Sequence, residues 1–292
     1  MKVLVLGGSR FFGKRLVDLL LADGHEVVVT SRGVVPLGFE PQVRHVKADR
    51  RNRYDMTRIA AEGFDLVYDN VCFLPGEAMA GVEAFAGQDV RCVMTSSGSV
   101  YAPSGDLKEE SFDPYAHEVE LGSVELAYDE GKRQAEAVFA RYATFPCAFV
   151  RFPVVLGMDD YSDRLQFHIR KIARKEPFHL PNTEVRLGFI RSDEAARFLF
   201  WLGTRTGLTG PVNAASDGWV SLRELFELIK EKTDGEVVIE SDAGSADFSP
   251  FGFADDFRLN NDHAKSHGFE FLDVREWLPE LVDELLVAGQ AV

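Results

Sequence analysis

Cysteine is scarce in this chain: only Cys72, Cys92 and Cys147 occur in 292 residues. The number is odd and each lies in an apolar run. That pattern predicts buried, reduced thiols rather than a disulfide framework. No Cys or His pair has metal-ligand spacing, so no metal site is expected. Positive charge is also in short supply. Lys and Arg number 32 against 47 Asp and Glu, a formal net charge of −15. Such a balance repels phosphate backbones and argues against nucleic acid as a partner. No apolar run reaches the roughly 18 residues of a membrane span, so no membrane partner is expected. The apolar start, residues 1–6, is too short for a signal peptide. Repeats and low-complexity segments are missing as well. A soluble, cytoplasmic protein is the expectation.

What is present is a substantial apolar fraction, 46%, on a length that fits one large domain or one and a half. Short apolar runs at 3–6, 26–30, 43–47, 65–71, 90–95 and 147–151 read as buried strands. Between them, 14–22, 56–62, 76–85 and 127–142 have helical periodicity. Strands alternating with helices predict an α/β fold: a Rossmann-type, doubly wound parallel sheet, with ligands at the carboxyl ends of the strands. Past residue 155 the pattern changes. Helices are expected at 164–174, 193–201 and 222–233, and short strands at 185–190 and 211–213. We expect residues 1–155, with part of 187–215, to form a dinucleotide-binding domain. Residues 156–186 and 216–292 would form a smaller, interleaved substrate lobe.

The segment Gly7-Gly8-Ser9-Arg10-Phe11-Phe12-Gly13 joins the first strand to the first helix. Gly7 suits a tight turn and Gly13 close helix–sheet packing, and the helix N-terminus offers free N–H groups to a pyrophosphate. Arg10 replaces the usual middle glycine. At the end of the second strand, where an acidic residue would hold a ribose 2′-hydroxyl, Ser31-Arg32 stands instead. A small residue plus a guanidinium suits a 2′-phosphate, and Arg10 offers a second contact. NADP is therefore expected over NAD. Asp49, after the third strand, is placed to accept from the adenine amino group.

Tyr128 and Lys132 are four apart on a predicted helix and share a face. An ammonium near a phenol favours the phenolate, and a tyrosine so tuned can move a proton at neutral pH. Upstream, Thr95-Ser96-Ser97-Gly98-Ser99-Val100-Tyr101 ends the strand at 90–95. In this order, the glycine turn, the Ser-Ser-x-x-Val-Tyr segment and Tyr-x-x-x-Lys resemble the extended short-chain dehydrogenase/reductase family. That family includes nucleotide-sugar epimerases and dehydratases. The resemblance implies that Tyr128 is the acid/base, that Lys132 lowers its pKa and holds the nicotinamide ribose, and that Ser97 orients the reacting oxygen. It adds Ser9, Phe11, Phe12, Arg50, Val71, Cys72, Ser96, Phe152 and Val154 as cofactor contacts. Ser99 and Arg186 become substrate contacts. It further implies a small-molecule substrate and a homodimer pairing the helices at 76–85 and 127–142.

The chain departs from the family at points that bear on chemistry. Thr95-Ser96-Ser97 replaces the Thr-Asp-Glu of dehydratases, so dehydration is not expected. The second arginine of a diphosphate clamp has no counterpart at 249–252. Phe248, Phe251, Phe253 and Phe257 fit either an apolar pocket wall or plain core. The acidic stretch 102–126 fits either a lid or a solvated insertion. Glu136, one turn past Lys132, reads as a helix-surface charge. An epimerase or reductase is the expected function; the alternative is a non-catalytic dinucleotide sensor or an RNA-binding member like the chloroplast stem-loop binding proteins.

Overall fold

The structure is a computed structural model, and it describes residues 1–33, 43–240 and 247–289. In chain order the first elements are β1 (Lys2–Leu6), α1 (Phe11–Ala22), β2 (Glu26–Ser31), β3 (Arg44–Lys47), α2 (Arg53–Ala60), β4 (Leu66–Asp69), α3 (Pro75–Phe85) and β5 (Arg91–Thr95). Next come β6 (Ser104–Leu107), α4 (Tyr128–Tyr142), β7 (Cys147–Arg151), β8 (Val154–Leu156), α5 (Arg164–Ala173), β9 (Arg186–Leu187) and β10 (Phe189–Arg191). The chain continues through α6 (Ser192–Thr204), β11 (Gly210–Asn213), β12 (Val220–Ser221), α7 (Leu222–Thr233), β13 (Phe257–Leu259), α8 (Asp262–Ser266) and α9 (Val274–Gly289).

Seven strands form one sheet in the order β11-β7-β5-β4-β1-β2-β3, every pair parallel. Both faces are covered, which is why the strands read as unbroken apolar runs. Val3 and Val5 of β1 pack toward α1 and α6. Leu4 and Leu6 point the other way, into a core shared with α2, α3 and α4. The order reverses between β1 and β4, and a crevice opens there at the carboxyl ends.

A second core lies under a four-stranded sheet, β12-β9-β13-β6, packed with α5, α7 and α9. This lobe takes pieces from both halves of the chain, because β6 comes from the stretch 102–126. That stretch is therefore neither a free lid nor a bare insertion: part of it is a strand paired with β13. The span 185–190 is two strands, not one, since Gly188 separates β9 from β10. The first helix begins at Phe11, three residues before its periodicity does, and α8 and α9 have no counterpart among the predicted elements. No helix among the described residues is long and apolar enough to cross a membrane, and none of their acidic, His and Cys side chains cluster as a metal site. All three cysteines are buried and free.

Candidate active site

Two cavities meet the crevice. The smaller, about 310 Å³, is lined by Gly7, Ser9, Arg10, Arg32, Asp49, Arg50 and Val71, among others. Gly7 turns the chain with φ +82°, and a Cβ there would press on Val71. A Cβ on Gly13 would lie 2.3 Å from the Gly7 carbonyl oxygen, so only glycine lets α1 start this close to the turn. Phe11 opens the helix in the left-handed region, φ 54°. A side chain in that region costs about 1–3 kcal/mol, and such strain gathers at ligand clamps. The turn, the helix N-terminus and the basic wall of Arg10 and Arg32 fit a dinucleotide pyrophosphate and its ribose.

Several expected cofactor contacts have other engagements. The Arg10 guanidinium lies over the Tyr161 ring, 4.3 Å from its centroid. Arg51 grips Asp49 and holds its carboxyl down to about 2. Arg50 is buried and turned onto Asp69. The Ser31 hydroxyl is bonded to His45 and to the Gly33 N–H. Gly13 and Cys72 line neither cavity. The Cys72 thiol is wholly buried, and burial pushes its pKa up; its carbonyl oxygen is the part in use.

The larger cavity, about 710 Å³, is lined by chain neighbours of the first: Phe11 follows Arg10, and Asn70 precedes Val71. Phe11, Phe12, Ser96, Ser97, Ser99, Tyr128, Lys132, Phe152 and Val154 all line it. Tyr128 is the first residue of α4 and is 56% exposed. Its ring stacks on Phe73, centroids 5.7 Å apart. Lys132, one turn on, is 5% exposed, and its ammonium stands 6.0 Å from the Tyr128 ring centroid. That ammonium donates to the carbonyls of Cys72 (2.7 Å) and Thr95 (3.0 Å), which tie α4 to the ends of β4 and β5. An ammonium has three N–H bonds, so one remains beyond these two. Ser97 Oγ accepts from the Ser99 N–H at 3.1 Å, which fixes the turn after β5.

Arg186 is not brought to this cavity. It donates to Asp256 at 2.7 Å and lies over Trp219. Of the aromatic run, Phe253 and Phe257 line the cavity and Phe251 is core, whereas Phe248 is exposed against His179. Glu136 corrects the expectation of a surface charge: it is fully buried and chelates Arg151 at 2.6–3.2 Å. Burial opposes the charge on Arg151, yet Glu136 and Tyr101 hold its pKa above the ordinary value. Arg151 also donates to the Tyr101 hydroxyl (2.8 Å) and to the carbonyls of Glu109 and Phe112. Tyr101 in turn donates to Asn213 at 2.7 Å. Sequence reasoning missed Asn70, Asp160, Tyr161 and Arg164, which also line the cavity. For Asp160, Tyr161 and Arg164 the only signal was the change of pattern after 155; Asn70 lies within the strand read at 65–71, just past the end of β4.

Residues 3–72 match the model of the NAD dependent epimerase/dehydratase family. That segment, the glycine turn with the strands and helices on either side of it, is the part of the chain similar to the family. Among solved structures, it resembles the UDP-glucose 4-epimerase of Thermotoga maritima with UDP-glucose, with a TM-score of 0.77 and 18% identity over 99% of this chain and 100% of that one. It also resembles the Thermus thermophilus UDP-glucose 4-epimerase in complex with NAD (TM-score 0.72, 18% identity, 99% and 100% covered). At this identity, the likeness shows the fold alone.

Curated relatives are diverse. The chloroplast stem-loop binding protein of 41 kDa b from Arabidopsis thaliana is 26% identical over 75% of this chain and 60% of its own length. The 2′-dehydrokanamycin reductase of Streptomyces kanamyceticus is 36% identical over 47% of this chain and 39% of its own. UDP-glucuronic acid decarboxylase 1 of Arabidopsis thaliana is 25% identical, with 85% and 62% covered. The chain thus spans less than two thirds of the length of these relatives.

Proposed function

We propose that this protein is an NAD(P)-dependent epimerase or reductase. It acts at a carbinol or ketone carbon of a sugar-nucleotide-like or small carbonyl substrate, with Tyr128 as acid/base. The observation that carries this reading is that Tyr128 and Lys132, on consecutive turns of α4, line one cavity with Phe11 and Phe12 of the glycine turn. Gly7, Ser9, Arg10, Arg32 and Asp49 would hold the dinucleotide, with NADP favoured by the Ser31-Arg32 pair. The bound nicotinamide supplies hydride chemistry. The chain's own part is proton management and orientation. The remaining N–H of Lys132 is free for a ribose hydroxyl, and the Tyr128 phenol is the group that exchanges the proton with a carbinol or ketone oxygen. Ser97 or Ser99 holds the reacting oxygen beside the phenol. A homodimer belongs to the same reading.

The test uses the full chain with NADPH, NADP⁺, NADH and NAD⁺ against sugar nucleotides and simple ketones. Stoichiometric change of cofactor absorbance marks a reductase, and product without net change marks an epimerase. Tyr128→Phe is expected to lower kcat on the order of 10²–10⁴-fold while cofactor affinity stays unchanged. A second reading draws on the stem-loop binding relative: a binding protein that does no chemistry. Tight cofactor binding without turnover of any substrate would favour it.

A further inference from the structure

We propose that Asp160, between β8 and α5, is a specificity determinant of the larger cavity. Its carboxylate accepts a hydrogen bond from a hydroxyl or ammonium on a polyhydroxylated ring. This rests on the cavity being the substrate site and narrows the substrate from any small carbonyl compound to a ring polyol or amino polyol.

Four carboxylates are buried among the described residues: Asp69, Glu136, Asp160 and Glu194. Three are fully bonded. Asp69 accepts from Arg50 and from the N–H groups of Val71 and Cys72. Glu136 takes Arg151 on both oxygens. Glu194 accepts from Ser216 and the Leu272 N–H. Asp160 differs. It is 7% exposed and its Oδ1 accepts from the Ser162 N–H at 2.8 Å and from the Ser162 hydroxyl, but Oδ2 is buried with no partner. A buried carboxylate oxygen without a donor is costly. No cation of the cavity supplies one. Lys132 is committed to two carbonyls and Arg133 to Asp129, Glu130 and the Val100 carbonyl, and Arg164 makes no ion pair with Asp160.

Of the ten buried side-chain polar atoms without a hydrogen-bond partner among the described residues, four belong to this cavity. Asn70 Nδ2, Ser96 Oγ and Ser99 Oγ are buried without partners too, and all belong to lining residues. One is a donor, two are hydroxyls that give or accept, and Asp160 accepts. A ring bearing several hydroxyls satisfies such a mixed set; a plain ketone does not. Phe253, Phe257 and Phe152 add flat apolar walls for the ring's C–H faces. Asp160 is held in place from both sides. Its neighbour Asp159 bonds Arg15 at 3.2 Å and Ser192 at 3.0 Å, and Tyr161 sits on Arg10.

The experiment is calorimetric titration of the cofactor-loaded protein with UDP-glucose, an anionic ring polyol, and kanamycin, an aminated one. At least one is expected to bind wild type, and Asp160→Ala should weaken it by at least about tenfold. In Asp160→Asn the carbonyl oxygen stays on the Ser162 N–H, so the NH2 takes the place of Oδ2. A ligand hydroxyl can turn and accept from it, whereas an ammonium meets a donor and loses at least about tenfold. Dinucleotide affinity, measured on each variant, should match wild type, which separates this proposal from the cofactor reading. The proposal is overturned if neither probe binds the loaded wild type, or if Asp160→Ala leaves the binding of every bound probe unchanged.

Discussion

His168 lies stacked between the rings of Phe251 (4.6 Å) and Phe226 (5.2 Å) in the second core. Its Nδ1–H donates to the Arg164 carbonyl, and its Nε2 accepts from the Ser249 hydroxyl, both at 2.8 Å. The neutral ring fills that pattern completely. Burial pulls its pKa down from 6.5 to about 4. The unfolded chain therefore binds a proton between about pH 6.5 and 4 that the folded one refuses. The contribution is full above the unfolded value and is lost as pH falls through that window, about 3 kcal/mol in all. Urea unfolding at pH 7 and pH 5 is expected to show this loss in wild type. His168→Gln should have a flatter profile between the two pH values; an identical slope would refute the assignment. Neither the low pKa nor the stacking was legible in the sequence, where a lone histidine on a helix has no visible partners.

At the scale of elements, α4 is fixed at three points. Lys132 ties its start to β4 and β5, and Glu136 ties its middle to β7 through Arg151. The stretch 112–126 covers its outer face, with the Glu120 N–H on Gln134 (2.9 Å) and Arg141 on the His117 carbonyl (3.0 Å). Removing one partner of a buried ion pair leaves the other charged and unpaired. Glu136→Gln is thus expected to destabilise the fold by about 3–5 kcal/mol and to speed proteolysis within 102–126, because the same guanidinium holds the Glu109 and Phe112 carbonyls. Chemical unfolding and limited proteolysis check it; a change under about 1 kcal/mol would mean that water replaces the carboxylate. The strands of the main sheet were readable because both faces are buried, and the glycine turn because its spacing is local. The Glu136–Arg151 pair was not. Its members are fifteen positions apart on a helix and a strand, and the backbone carbonyls that Arg151 also binds leave no trace in residue type.

For the whole molecule, the expected pairing through α3 and α4 meets a covered surface. Nearly all of α4 from Gly131 to Phe139 is buried within its own chain. What is exposed instead is apolar side chains of the covering stretch, Tyr115, Leu121 and Val124. A homodimer would use these. Sedimentation at tens of micromolar is expected to give the dimer mass, and Leu121→Glu with Val124→Glu the monomer mass. A monomeric wild type would remove the dimer from the proposal. The presence of a second sheet with its own core was legible only as a change of pattern. That the first half lends β6 to the second lobe was hidden, since 104–107 (Ser-Gly-Asp-Leu) has no apolar run.

Tyr101, Arg151 and Asn213 come from three separate stretches, and Asn213 donates onward to the Leu107 and Asn260 carbonyls. One polar knot therefore fastens both lobes. Cutting the chain near residue 155 would strand a guanidinium on one side and an amide on the other. A new second lobe could not simply be exchanged onto the seven-stranded half, as one swaps a module; the recipient would have to inherit the knot along with it.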